Sequence, residues 1–390
     1  MAANRTSFTI EELDIPDRGD TSDDGDFVDS VAVRNDVEAE VMGNRDLAYD
    51  ATELLPHWQD PYEPKTLFVA HCEGRIVGRG IYETEIAEGA KAAWLVIEVL
   101  SAYRGRGIGT AFFERLSDMA VVEGRTVLQS FAMHSLPVEV ESAIEGAIDV
   151  RSAEAQAADV RSAVAADAGM VRSPTGFGSV PRDDPGVRFL IARGFTLEQV
   201  ARCSRLELPV DTGVLTRFFA AATEKAGADY RVVTWEGRTP PEWRADLALL
   251  HQRMSTDAPF AGLEQAEDPW DEARIDALDE RNEHGPRTIL VAAVQHAPTG
   301  RLVAFNELQV SSSDITRPVA QQDTLVLTEH RGHQLGMLVK TANLAVLQAR
   351  HRGHPSVITF NAEENRHMLA VNEALGFVAV GYEGSWKKVL

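Results

Sequence analysis

Hydrophobic and polar residues alternate along two neighbouring stretches, Thr66 to Cys72 and Arg75 to Glu83, separated by Glu73-Gly74. Period-two alternation predicts strands with one buried face, and a two-residue break ending in glycine predicts a hairpin between them. Trp94 to Leu100 is a short apolar, β-branched run, and Thr110 to Met119 carries apolar residues at helical spacing. This stretch therefore predicts a buried strand, a tight turn and a helix in direct succession. Upstream, Ser7 to Leu13 has strand character and Phe27 through Met42 helical periodicity. Downstream, Val138 to Gly169 is Ala-rich with helical spacing and Ser173 to Gly186 has loop composition; Phe189 to Phe195 is a short helix ended by Gly194, and Leu197 to Leu208 a closing strand.

After Pro209 to Thr212 and a connecting helix at Leu215 to Ala226, the pattern starts again. Tyr230 to Trp235 predicts a strand, Pro241 to Met254 and Trp270 to Glu283 helices, Thr288 to Gln295 and Arg301 to Val310 paired strands, and Asp323 to Leu327 a further strand. A helix from Gly332, a strand at Ser356 to Phe360, a helix at Glu363 to Leu375 stopped by Gly376, and a terminal strand over 377–389 follow.

A length of 390 residues suits two or three domains, and 44% hydrophobic content is ample for their cores. The net charge of −22 argues against a nucleic-acid partner and is compatible with a cationic substrate such as an amine. Only Cys72 and Cys203 occur, so neither a disulfide framework nor a zinc site is expected. No signal-type segment and no apolar run of about 18 residues stands out, so the expectation is a cytoplasmic protein with no membrane partner.

The strand-to-helix join at Arg104-Gly105-Arg106-Gly107-Ile108-Gly109 is suited to anions, because free backbone N–H groups at a helix start can cradle a phosphate. Gly109-Thr110-Ala111 lacks the Lys-Ser/Thr pair of a nucleotide-hydrolase loop, and GxGxxG spacing is absent. RGRGIG after a strand resembles motif A of the GCN5-related N-acetyltransferase (GNAT) superfamily, Arg/Gln-x-x-Gly-x-Gly/Ala, with Arg104, Gly107 and Gly109 at its fixed positions. A second copy, Arg331-Gly332-His333-Gln334-Leu335-Gly336, lies at an offset of 331 − 104 = 227. ITFNAEENRHMLAVNEALGF, with Asn361, Asn365, Asn372 and Gly376-Phe377, resembles motif B; Asn372 stands where the family usually has a tyrosine acid. The matching first-half positions are Asp183 and Leu190. Gln334 replaces the middle glycine, and an ordinary negative φ would let it enter the helix without losing the amide.

The resemblance covers both halves and implies an α/β fold of the α+β mixed-sheet kind: two tandem GNAT-like domains, each a twisted, mostly antiparallel sheet flanked by helices. The doubling is similar to that of actinobacterial tandem acetyltransferases, among them mycothiol synthase. Expected limits are an acidic segment at 1–26, a first domain at 27–209 with an insertion near 134–186, a connection at 210–227 and a second domain at 228–390. The implied co-substrate is acetyl-CoA. Its implied contacts are Val99, Leu100, Arg104, Gly105, Arg106, Gly107, Ile108, Gly109 and Thr110 in the first half. In the second they are Val326, Leu327, Thr328, Arg331, Gly332, His333, Gln334, Leu335, Gly336, Asn361 and Asn365.

The implied activity is transfer of an acetyl group to the primary amine of a small molecule by direct attack on the thioester. Such transfer needs a base, an oxyanion donor and a route for the thiolate. Candidates are Glu98, Glu307 and Asp323 as bases, with Asn372 and Tyr382 near the usual acid position; each also suits a salt-bridged or core role. No metal is expected, since no HExxH or Cys/His ligand spacing occurs. One half is expected to be catalytic, with a lean to the second because it retains Asn365, in a monomer or homodimer. Two alternatives stand beside this: a non-catalytic CoA-binding scaffold, and a transferase for a longer acyl-CoA.

Overall fold

The alternating stretches pair as expected in a computed structural model that describes residues 7–17, 25–87, 89–136 and 169–390. Strand β1 (Phe8–Leu13) pairs with β2 (Lys65–Cys72), and β2 with β3 (Arg75–Thr84), through a turn in which Glu73 and Gly74 have φ of 55° and 78°. Two successive positive φ values give a turn whose twist matches the flanking strands. Between β1 and β2 lie helices α1 (Asp26–Met42) and α2 (Ala51–Trp58). Then come β4 (Ala92–Val99), α3 (Ile108–Val122) and β5 (Val127–Ser135).

Period-two alternation sends neighbouring residues of one strand to opposite cores. Leu67 and Val69 pack with Phe27 and Val31 of α1, whereas Phe68 and Ala70 pack with Phe112 and Leu116 of α3. A Cβ at Gly80 would sit 2.6 Å from the Phe112 ring, so glycine is what lets α3 lie this close to β3.

After residue 168 a small hairpin, β6 (Met170–Arg172) with β7 (Ser179–Pro181), precedes α4 (Pro185–Ala192), β8 (Thr196–Glu207) and α5 (Thr212–Ala226). The expected loop at 173–186 thus holds β7 and the start of α4, because Asp184 caps that helix upstream of its apolar run. The Ala-rich stretch, Val138 to Gly169, falls almost wholly outside the described residues.

The second half repeats the order: β9 (Tyr230–Glu236), α6 (Arg244–Asp257), α7 (Glu272–His284), β10 (Arg287–His296), β11 (Arg301–Ser311), β12 (Val319–Val326), α8 (Leu335–Arg350), β13 (Ser356–Ala362), α9 (Arg366–Leu375) and β14 (Val378–Val389). Twelve of the strands form one sheet, ordered β1-β2-β3-β4-β5-β14-β8-β13-β12-β11-β10-β9. Its centre is an exchange. β14, last in the chain, completes the first half beside β5, and β8, from the first half, completes the second beside β13. Among the described residues no helix is long and apolar enough to cross a membrane.

Candidate active site

β4 and β5 run parallel and pair only through Ala92, Ala93 and Trp94 before they part. The Leu100 N–H donates to the Val77 carbonyl at 3.0 Å, on the β3 side. Backbone groups alternate sides along a strand, so Val99 and Ile97 turn theirs into the opening. Arg104 Nε donates to the Val99 carbonyl from that side at 2.9 Å, while its terminal nitrogens donate to Glu40 on α1 at 2.9 and 3.1 Å. Arg104 therefore ties the turn to the strand and to α1.

The turn itself is built on Gly105 (φ 74°) and Gly107 (φ 93°), the residue preceding α3. No side chain caps α3, whereas Asp184, Asp211, Asp271 and Asn365 cap α4, α5, α7 and α9. The first N–H groups of α3 have no intrahelical partner, and they are left available for an anion. Beside them Arg193 Nη2 donates to Thr110 Oγ1 at 2.6 Å, with its guanidinium 3.5 Å from the Phe189 ring centroid. A cavity of about 680 Å³ starts at Gly105, Gly107 and Gly109, follows Ile97 to Val99 through the opening between β4 and β5, and reaches Glu38 on α1.

Carboxylates collect on the α1 side. Glu98 is held in an ion pair by buried Arg79. Glu38 Oε1 accepts from Arg34 at 2.8 Å, but Oε2 is buried without a partner. Burial pushes the Glu38 carboxyl up to about 7 against the opposing pull of Arg34, with Glu98 and Glu383 adding to the rise. Burial likewise pushes Glu383 up to about 7. Glu383 lies on β14, opposite Met133 of β5, so the exchanged strand brings it to the first half.

The second half keeps the frame with different contents. β12 and β13 pair only through Val319 and Ala320 before parting. Leu327 N–H donates to the Val303 carbonyl at 3.0 Å, Arg331 Nε donates to the Val326 carbonyl at 3.1 Å, and Arg331 and Thr328 both bond Asp257 of α6. Gly332 has φ of 86°, and Gln334, expected with a negative φ, has φ of 56°. The turn demands a left-handed residue there whatever its side chain. His330 Nδ1 lies 3.0 Å from the Tyr230 hydroxyl, and the His333 ring is 5.0 Å from the Tyr230 ring. Lys340 occupies the place that Phe113 has in the first half by the 340 − 113 = 227 offset. Phe113 lines the cavity; Lys340 is buried with no partner for Nζ, and burial pulls its pKa down to about 7.

The structure brings Val99, Gly105, Gly107, Ile108, Gly109 and Thr110 together on one cavity and sets Glu98 beside them in an ion pair. Leu100 faces away through its bond to Val77. Tyr382 lies on β14 opposite His134 and Arg202, hence beside the first half's β5, although its place in the chain suggests the second half; burial pushes its phenol up. Asn372 donates to Asn361 Oδ1 at 2.7 Å, and Asn365 accepts from Met368 N as the cap of α9. In the first half that cap is Asp184, one residue beyond the Asp183 that the numerical offset selects. Glu307 and Asp323 come together around His251, which neither motif nor spacing singles out. Glu38, Arg79, Arg193 and Glu383 are also additions, and a carboxylate or guanidinium on an amphipathic element carries no mark of burial in the sequence.

Residues 35–132 match the family model described as the acetyltransferase (GNAT) family. A search of curated proteins gives no match. Among solved structures the chain is similar to a tandem GNAT protein from the clavulanic acid biosynthesis pathway, without AcCoA, at TM-score 0.64, 21% identity and coverage of 98% of each chain. It is also similar to a GCN5-related N-acetyltransferase from Sphaerobacter thermophilus, at TM-score 0.57 and 10% identity over 99% of this chain and 96% of that one. A GCN5-related glucosamine N-acetyltransferase region of a fungal multi-domain GH3 β-N-acetylglucosaminidase aligns at TM-score 0.56 and 15% identity, over 98% of this chain and 38% of that one. The fold is thus that of tandem GNAT proteins.

Proposed function

We propose that the chain is an acetyl-CoA-dependent N-acetyltransferase whose working cleft is in the first half, with a small cationic amine as acceptor. The observation that carries this is the continuous cavity from the uncapped start of α3, through the opening of β4 and β5, to Glu38. The amides after Gly107 take the pyrophosphate and the pantetheine arm follows β4. The thioester carbonyl then meets one of the inward N–H groups of β4, at Ile97 or at Val99, which holds the developing oxyanion.

The amine enters from the α1 side. Its surplus proton goes to Glu38 Oε2, the buried oxygen without a partner. Its lone pair then forms the C–N bond, the C–S bond breaks with its electron pair leaving on sulfur, and the nitrogen's second proton passes to that sulfur, so that the products are a neutral amide and the CoA thiol. An ordinary thiol has a pKa of about 8.5, so the thiolate can depart without a tyrosine at Leu190. The second half, with buried Lys340 in place of Phe113, completes the sheet and supplies Glu383 through β14. The tandem layout supports the resemblance to the two-domain type that includes mycothiol synthase, and the carboxylates support an amine without selecting one.

The test is calorimetric titration of the full chain with acetyl-CoA, followed by thiol release over a panel of amines. Ala132→Trp, which fills the cavity between β5 and α4, should abolish binding, whereas Gly336→Trp should leave it intact. The reverse result refutes the placement. Binding with no turnover across the panel would favour the scaffold reading instead.

A further inference from the structure

In the second half, the face of the sheet under α6 carries three ionisable side chains from three elements: His251 of α6, Glu307 of β11 and Asp323 of β12. His251 Nε2 is 3.6 Å from Glu307 Oε2, and Nδ1 is 3.3 Å from Asp323 Oδ2. One ligand atom from each residue can be chosen so that all lie within 4.8 Å of one another. His251 is 7% exposed, and its Nε2 makes no hydrogen bond. The ring is fixed between Trp270, stacked at 4.5 Å and 19°, and the edge of Phe305 at 5.0 Å.

Among the described residues neither carboxylate has a Lys or Arg ion-pair partner. Arg274, the nearest guanidinium to this stack, lies 3.9 Å from the Trp270 ring centroid and is bonded to Asp268. Two acids and a fixed imidazole therefore share a largely buried site without a strong cation. Nitrogen and oxygen ligands around zinc sit about 2.0–2.1 Å from the ion, which places tetrahedral neighbours about 3.3–3.5 Å apart. The two distances above run to different ring nitrogens, of which one ion takes only one; one nitrogen with one oxygen from each acid lies within 4.8 Å of one another, a set that side-chain rotation can close to that spacing.

We infer that His251, Glu307 and Asp323 form a binding site for one divalent transition-metal ion of the zinc or manganese class. One imidazole with two carboxylates is a borderline-to-hard set that suits such ions and disfavours copper(I), which wants sulfur. The sequence could not announce it, because the ligands stand at 251, 307 and 323 on three separate elements and make no local motif. Asp323, with its side chain 38% exposed, marks the side from which the ion enters.

The test uses the full chain with any affinity tag removed, stripped with EDTA, and titrated calorimetrically with ZnCl2 and separately with MnCl2. Saturable binding of one ion per chain by at least one of them is expected. Cobalt(II) should give the visible absorption of a low-coordinate nitrogen–oxygen site. Glu307→Gln and Asp323→Asn should each weaken binding at least tenfold. Asp323→Asn is the variant least exposed to folding defects, and its circular dichroism without metal should match the wild type. Absence of one-per-chain binding by either ion, or equal affinity in the wild type and Asp323→Asn, overturns the site and leaves His251 as a structural partner of the two acids. Neither outcome bears on acetyl-CoA binding in the first half, which is measured separately.

Discussion

Lys340 offers a direct test of how the second half is packed. It is 1% exposed, its Nζ has no partner, and burial lowers its pKa from 10.5 to about 7. At about 1.36 kcal/mol per pKa unit, that drop sets a ceiling of about 5 kcal/mol on the cost of keeping the ammonium charged in the fold. The folded pKa lies below the unfolded one, so above about 7 the unfolded chain holds a proton that the folded chain has released. Stability attributable to this group must then rise with pH between about 7 and 10.5, and the full penalty applies below about 7. Lys340→Met keeps the volume and removes the charge. Replacing a poorly compensated buried charge with an apolar group of similar size commonly stabilises by about 1–4 kcal/mol. In urea titrations at pH 6, Lys340→Met should be the more stable by an amount in that range. Its advantage should shrink by about 2–3 kcal/mol at pH 9. A variant less stable than wild type at pH 6, or an advantage that does not change with pH, would refute the reasoning. The first result would mean that Nζ has a partner, the second that Lys340 keeps its proton over this range in the folded chain as it does in the unfolded one.

Other expectations follow from single contacts. Gln334→Gly removes a side chain from a residue held at φ 56° and should stabilise the chain by about 1 kcal/mol, read as a shift of the urea midpoint. Arg79→Met leaves the Glu98 carboxylate largely buried and unpaired and should cost about 3–5 kcal/mol in the same assay, more than Glu98→Gln. The base proposed for the reaction, Glu38, can act only when deprotonated, so kcat/KM should fall as pH drops below about 7. Glu38→Gln should lower kcat about 10²–10⁴-fold and abolish that limb while the acetyl-CoA Kd stays the same. A limb that persists in Glu38→Gln assigns the base elsewhere.

How far the sequence could be read depended on whether an element's own pattern matched its surroundings. β2, β3 and β4 were legible because each alternates or runs apolar by itself. β5 was not, because its sequence VLQSFAMHS is interrupted by Gln129 and Ser130. Gln129 is fully buried, and its amide bonds both the carbonyl and the N–H of Glu264 in the other half, at 3.1 and 2.5 Å. A polar residue that satisfies distant backbone looks like a loop residue until that backbone is in view. The glycine turn at one end of the cavity was legible for a local reason, since glycines at positive φ leave traces within six residues. The α1 end left none. Glu38 is one acid among several on α1, and only folding shows that Oε2 is buried without a hydrogen-bond partner.

The exchange of β8 and β14 is the feature least visible in the chain and the one with the widest consequence. Sequence order divides the molecule near residues 210–227, but the sheet does not divide there. A fragment ending at 227 keeps β5 with only three paired residues on β4 and no neighbour on its other edge, because β14 is missing. The same fragment keeps β8, which bonds only β13 and β14, with nothing to bond. Exposed strand edges of this length are templates for aggregation. β5, whose Met133 lines the cavity, would also lose the support of its β14 partner Glu383 and the residues beside it. Fragments 1–227 and 228–390 should therefore be insoluble when expressed singly and should recover a soluble one-to-one complex with acetyl-CoA affinity when co-expressed. If either fragment alone is monomeric, folded and able to bind acetyl-CoA, each half closes its own sheet, and the second half is dispensable for the cleft. The exchange makes the doubled chain one folding unit, because the first half's sheet is unfinished without the last strand of the second.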